Sequence, residues 1–177
     1  MEKFPLSIAV VLYTLQVIDI HPMPDHFQWR QIVSIVTVAE VARLVDDGVL
    51  TARQGELVDV KVVDKFFESD LAKRMFSADE LLREYAFMAS AAKCPSAKQY
   101  SFGDEAAMLQ GIADCIIIEG DSAVLVDYKT DHVKIADELI KRYHKQLELY
   151  TEMLDGLVPP IKERIIWSFS LGCEIKL

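Results

Sequence analysis

The apolar positions of this chain change period once, near residue 80. Before that point they recur every three or four residues. From about Gln28 to Val45 the apolar residues are Ile32, Val33, Val36, Val41, Leu44 and Val45, one face of a helix, and Gly48 just beyond supplies a stop. Leu6 to Ile20 predicts an earlier helix, with Pro5 near its first turn and Ile8, Leu12 and Leu15 on one side. "TARQ", Thr51 to Gln54, has capping-box spacing, and short helices are expected over 52–57, 60–67 and 70–77. Beyond Leu81 the runs shorten and the pattern becomes that of strands. Leu81 to Ala91 is expected as a strand, "CPSAKQYSFGDE" as a loop, and "AAMLQGIADCIIIEG" and "SAVLVDYKT" as strands joined by a tight turn around "EGDS". Residues 134–155 read as one long helix with a stripe of Leu139, Tyr143, Leu147, Tyr150 and Leu154, and "ERIIWSFSL" as a last strand.

Helices followed by three strands, a helix and a strand predict an α/β fold of αβββαβ order, an open mixed sheet covered by helices. Residues 1–80 are expected to form a helical lead-in packed on a core of residues 81–177, the two expected to make one compact unit. At 177 residues and 51% hydrophobic content the chain can bury a core without covalent staples. Its three cysteines, Cys94, Cys115 and Cys173, show no CxxC spacing. Neither a disulfide framework nor a structural zinc site is expected, and a reducing cytoplasm fits best. The run Leu6–Ile20 is shorter than the roughly 20 residues that a membrane span needs. It contains Gln16 and Asp19 and leads into "HPMPDH" rather than a small-residue cleavage site, so neither a signal peptide nor a membrane partner is expected. The net charge of -9 opposes general attraction to phosphate backbones, so any DNA substrate needs a metal site, a partner subunit or further protein to hold it.

Against this background Asp114, Asp127 and Lys129 stand out, because they interrupt runs that otherwise read as buried strand. Strand side chains alternate faces, so Asp127 and Lys129 project to one side and Tyr128 to the other. A hairpin turning between residues 120 and 121 brings Asp114 to Asp127 within a residue or two. An unpaired buried charge costs on the order of several kcal/mol, comparable with the whole stability of a domain. The acids therefore require solvent, a salt bridge to Lys129, or a divalent cation held between them. Mg²⁺ suits the last option, since it takes oxygen ligands and commonly one or two carboxylates. With Lys129 orienting water or offsetting negative charge, the chemistry that follows is phosphodiester hydrolysis.

"LQGIADCIII", "LVDYKTDHV" and "RYHKQLELY" resemble the successive motifs of the PD-(D/E)XK nuclease domain at the C-terminus of bacterial helicase-nucleases of the AddA/RecB type. "VARLVDDGVLTARQGELVDVKVVDKFFESDLAKRM" resembles the helical lead-in of the AddA version. The resemblance implies a restriction-endonuclease-like core and a metal-dependent DNA exonuclease acting in double-strand break repair and recombination. It implies Asp114 and Asp127 as metal ligands, the carbonyl of Tyr128 as a further one, Lys129 as the catalytic lysine, and Mg²⁺ or alternatively Mn²⁺ as the cofactor. Gln146 and Tyr150, four apart and so on one helix face, would look towards DNA or the active site. Tyr143 is a weaker member of that set. Glu84 matches an acidic position on the first strand, with a salt-bridge role as its simpler explanation.

The chain departs from the family at one signature. The family's Gly-Thr-x-x-His on the first helix, whose histidine ligates metal, aligns with Ile8 to Leu12, "IAVVL". His21 and His26 lie in a loop beyond, and His132 and His144 carry no family role. Two readings follow: an active nuclease, or a degenerate nuclease-like module that binds DNA or a partner. No GxxxxGK[ST] pattern occurs. The expected partners are therefore DNA and a helicase portion, either in a longer chain of which this is a fragment or in a separate subunit.

Overall fold

The protein's computed structural model describes residues 37–100 and 107–177. The expected helix over Leu6–Ile20, the start of the next one, the "IAVVL" stretch, His21 and His26 lie outside the described residues. The chain divides into two units, Met1–Ser77 and Ala78–Leu177.

In the first unit, helix α1 covers residues 37–46 and gives way to Gly48, whose N–H donates to the Val45 carbonyl at 3.1 Å. Three short helices follow, α2 (Ala52–Glu56), α3 (Val60–Phe67) and α4 (Asp70–Phe76). Each begins at a residue whose oxygen satisfies an otherwise orphaned N–H. The Thr51 hydroxyl accepts from Gln54, the Asp59 carboxylate from Lys61, and the Ser69 hydroxyl from Ala72. At Thr51 the cap is reciprocal, because the Gln54 side-chain oxygen accepts the Thr51 N–H at 2.9 Å. Between them α3 and α4 bury Val63, Phe66, Phe67, Leu71, Met75 and Phe76. Thr51→Ala removes one half of the capping box and should lower stability by about 1 kcal/mol, read as a shift in the urea midpoint at unchanged slope.

The second unit is a five-stranded sheet in chain order, β1 (Glu80–Ser90), β2 (Met108–Glu119), β3 (Ser122–Lys129), β4 (Ile161–Ser168) and β5 (Cys173–Lys176). All neighbours are antiparallel except β3 and β4, which run parallel. Parallel neighbours need a long crossover; here it is α5 (Ala136–Met153). A 3₁₀ turn, Ala91–Lys93, follows β1 directly, and the segment expected as a loop from Cys94 begins with a second one, Pro95–Tyr100. Glu152 of α5 ties the second one down by accepting the Ser96 N–H at 3.0 Å. The β2–β3 turn has two central residues, Gly120 and Asp121, with Glu119 paired to Ser122. Gly120 takes φ +57, a conformation that glycine adopts at no steric cost.

One core lies between the sheet and α5. It gathers Ile116 and Ile118 of β2, Ala123 and Leu125 of β3, Ile166 of β4, and Leu139, Leu147 and Met153 of α5. The other face of the sheet carries Cys115, Ile117, Val124, Val126, Tyr128 and Trp167, also buried.

A regular pleat would keep one parity inside along the whole of β2, yet the same core also contains Leu109 and Ala113. In β1 it includes Leu82 at one end and Tyr85, Phe87 and Ala89 at the other. Both strands therefore change face at the level of Glu84 and Asp114. The register survives: Arg83 still pairs with Cys115 and Tyr85 with Ala113. Glu84 adopts φ +47, the one non-glycine residue among those described with a positive value, a strain of about 1 kcal/mol or more.

Candidate active site

The face change puts Asp114 beside the end of β3. The β2–β3 register ends at Cys115 paired with Val126, so one step further Asp114 lies opposite Asp127. Its Oδ2 accepts the backbone N–H of Tyr128 at 2.8 Å. Within a strand the N–H and C=O of one residue point to the same side, so the Tyr128 carbonyl also faces β2. The neighbouring Lys129 carbonyl accepts the Phe169 N–H at 2.9 Å on the β4 side.

Asp127 and Lys129 share the α5 face of β3, and Tyr128 is buried on the other, near the Phe169 ring at 6.2 Å. The Lys129 ammonium stands 2.5 Å from Asp127 Oδ2, with the two side chains 16% and 7% exposed. The contact is a short, buried ion pair, and among the described residues no donor other than Lys129 reaches Asp127 Oδ2. Burial raises the Asp127 carboxyl above its ordinary range, against the opposing pull of Lys129. Asp114 is pushed up to about 6, first by burial and then by the charge of Asp127, with Glu84 adding a little; the Tyr128 N–H and Lys129 act the other way. Two acids that are reluctant to ionise, with one lysine between their charges, form a site short of positive charge.

A hard cation would supply that charge. Among the described residues no three His, Cys, Asp or Glu side chains converge on one point, so a cation here would have two carboxylates and backbone oxygen from the protein. Mg²⁺ tolerates this, since it keeps water and substrate oxygens in its remaining positions. The donor set, with Asp127 Oδ2 buried and met by Lys129 alone among the described residues, fits such an ion.

Glu84 is exposed and close enough to act on Asp114, and it makes none of the ion pairs found among the described residues. Gln146 and Tyr150 do meet on one face of α5, where the amide donates to the phenol oxygen at 3.3 Å. Tyr150 also packs edge-on against Phe87 at 5.0 Å. That packing needs a glycine at position 111, because a Cβ there would lie 2.5 Å from the Phe87 ring and 3.1 Å from Tyr150. A cavity of about 760 Å³ opens beside these groups, lined by Met88, Gln110, Ile112 and Tyr150 among others. His132 and His144 are exposed.

The sequence reading missed Asp131, two residues after Lys129. Its carboxylate accepts the Tyr143 phenol at 3.1 and 3.0 Å and Arg142 Nη1 at 2.8 Å. Its backbone carbonyl accepts the Ser170 hydroxyl at 2.6 Å. An acid just past a strand end looks like an ordinary solvated loop residue; only the Arg142–Tyr143 pair, one crossover away, hints otherwise.

The five-stranded mixed sheet with its crossover helix is that of a restriction-endonuclease-like fold. The chain belongs to the PD-(D/E)XK nuclease superfamily, whose sequence model matches residues 30–166. Nucleases of this superfamily generally use divalent metal ions. Among its relatives the chain is similar to an ATP-dependent helicase/nuclease subunit of Clostridium perfringens strain 13, 36% identical over 148 residues, which cover 78% of this chain and 12% of that protein. It is 32% identical over 162 residues to the like-named protein of Bacillus cytotoxicus, covering 85% of this chain and 13% of that protein. The like-named protein of Clostridium acetobutylicum is 29% identical over 172 residues, 89% of this chain and 13% of that one. The chain thus spans only 12% to 13% of the length of these relatives. No helix among the described residues is long and apolar enough to cross a membrane.

Proposed function

We propose that this chain is a Mg²⁺-dependent deoxyribonuclease domain, with Mn²⁺ as the alternative ion, that hydrolyses phosphodiester bonds of DNA at Asp114, Asp127 and Lys129. The observation that carries the reading is the buried Asp127 Oδ2 paired with the Lys129 ammonium at 2.5 Å, with Asp114 anchored beside it. Asp114, Asp127 and the Tyr128 carbonyl would hold the ion, which when bound supplies charge stabilisation at phosphorus and a more acidic water. Lys129 stands where it can orient the attacking water or offset charge on the phosphoryl oxygens. Burial of the site keeps bulk water from screening that charge. Gln146, Tyr150 and Glu84 flank the substrate side.

The relatives are named as helicase/nuclease subunits, which supports a reading in which the activity works beside a helicase. We infer that this chain works with a helicase portion, in a longer chain or a partner subunit, in cytoplasmic repair and recombination of broken DNA. The acidic net charge of -9 fits a DNA path completed by other protein. The sequence departure at "IAVVL" favours a second reading, a nuclease-like module that binds DNA or a partner without cutting it. Labelled linear DNA incubated with Mg²⁺ or Mn²⁺, and in parallel with a chelator, separates the two. Shortening that the chelator stops supports hydrolysis; intact DNA at millimolar metal supports the binding module.

A further inference from the structure

Beyond the two acids and the lysine, one contact in the second unit has no assigned purpose. The ring of Tyr143 lies under the Lys129 ammonium, 4.4 Å from nitrogen to ring centre. This is within the range at which a cation is drawn to the negative face of an aromatic ring. The ring is itself held. Its hydroxyl donates to both oxygens of Asp131, which Arg142 Nη1 engages from the same helix at 2.8 Å. The Asp131 backbone is in turn tied to Ser170 past the end of β4. The chain of contacts runs from the loop after β3, through α5, back to the end of β3.

Lysine carries its charge on a flexible four-carbon stem, and holding it in one place costs rotamer freedom. The Asp127 carboxylate pairs with the ammonium, and the Tyr143 ring adds a second contact to the same nitrogen. We propose that Tyr143, packed against the core with its hydroxyl on Asp131, is a positioning residue that fixes the Lys129 ammonium over the acids by its ring face. The proposal rests on the nuclease reading for its purpose but on the ring contact for its geometry. The ring, rather than the hydroxyl, does the positioning; packing against the core holds the ring, and the hydroxyl bond to Asp131 adds to that hold without being required for it. Tyr143 touches neither substrate nor ion in this scheme.

The test uses the whole chain and its Tyr143→Phe and Tyr143→Leu variants. In proton spectra of the metal-free chain, the ε-methylene signals of Lys129 should lie upfield of the other lysines because of the ring current. They should remain so in Tyr143→Phe and return to the ordinary lysine position in Tyr143→Leu. In steady-state cleavage, Tyr143→Leu should lose roughly tenfold in kcat, the scale of one desolvated cation–π contact, with KM for DNA and Mn²⁺ affinity unchanged. Tyr143→Phe should stay within about threefold of wild type. A Lys129 signal at the ordinary position in wild type overturns the proposal. So does an equal loss in both variants, or a loss confined to KM, which would make Tyr143 a DNA contact. Wild-type chain that cuts no DNA, with the ring-current shift intact, overturns the nuclease reading instead, and the catalytic purpose of Tyr143 with it.

Discussion

Asp127→Ala should bring metal-dependent DNA cleavage down by about a thousandfold or more, and Lys129→Ala by about a hundred- to a thousandfold. The two losses have different physical origins. Asp127 contributes one of the two carboxylates, Asp114 and Asp127, that the described residues bring together at the end of β3, and its Oδ2 is buried against the Lys129 ammonium. Lys129 contributes the nearest positive charge, at 2.5 Å from that oxygen. Removing either partner of a buried ion pair also destabilises the fold, by about 3 kcal/mol or more in a fully buried case. Activity must therefore be compared in variants shown by thermal melting to be folded. Asp127→Asn serves as the shape-preserving companion, since it keeps the volume and removes the charge. Cleavage at the wild-type rate by folded Asp127→Asn and Lys129→Ala proteins would move the chemistry elsewhere.

The second large effect concerns stability without metal. The Asp114 carboxyl has a pKa of about 6 against an ordinary 3.8, so the folded chain holds that proton more tightly than the unfolded one. The stabilisation this gives is fully present below about pH 4 and is lost as pH rises through about 6. Two pKa units correspond to roughly 3 kcal/mol. In a chelator, Asp114→Asn should be more stable than wild type at pH 7.5 by about 1 to 3 kcal/mol, and the advantage should vanish near pH 4. Asp127 is shifted in the same direction, but it is present in both proteins and largely cancels from the difference. Urea titrations at the two pH values measure it, and a difference that ignores pH would show that Asp114 is not a penalised acid. Millimolar Mg²⁺ should then stabilise wild type and not the variant.

The strands and helices near the site were legible because each had a strong local signal. "IADCIIIEGDSAVLVDYK" holds two apolar runs around a glycine turn, and the structure places that turn at Gly120 and Asp121. Helix α5 emerged from its stripe, although the expected 134–155 shortens to Ala136–Met153. The last expected strand begins earlier, at Ile161, because Ile161 pairs with Ala123 across the parallel ladder, a partnership no local pattern announces. β5 was missed altogether: four residues with only Ile175 buried leave no periodicity to find. At the site, the closeness of Asp114 to Asp127 could be counted from the turn. The Asp131–Tyr143–Lys129 contacts could not, because they join a loop to a helix through side chains whose directions depend on how α5 packs.

The shared change of face at Glu84 and Asp114 has a consequence for reading mutational data on the β1–β2 ribbon. On one side of that level the helix-facing positions of β2 are even-numbered, Ile116 and Ile118; on the other they are odd, Leu109 and Ala113. The even positions beyond the switch, Met108 and Ile112, are turned outward, 59% and 58% exposed, as is Met88 on β1. A scan of polar replacements along β2 should therefore alternate between tolerant and sensitive positions up to Ala113 and find no tolerant position from Cys115 to Ile118, where both faces are covered; the break falls at residue 114, whose carboxylate reaches sideways to β3.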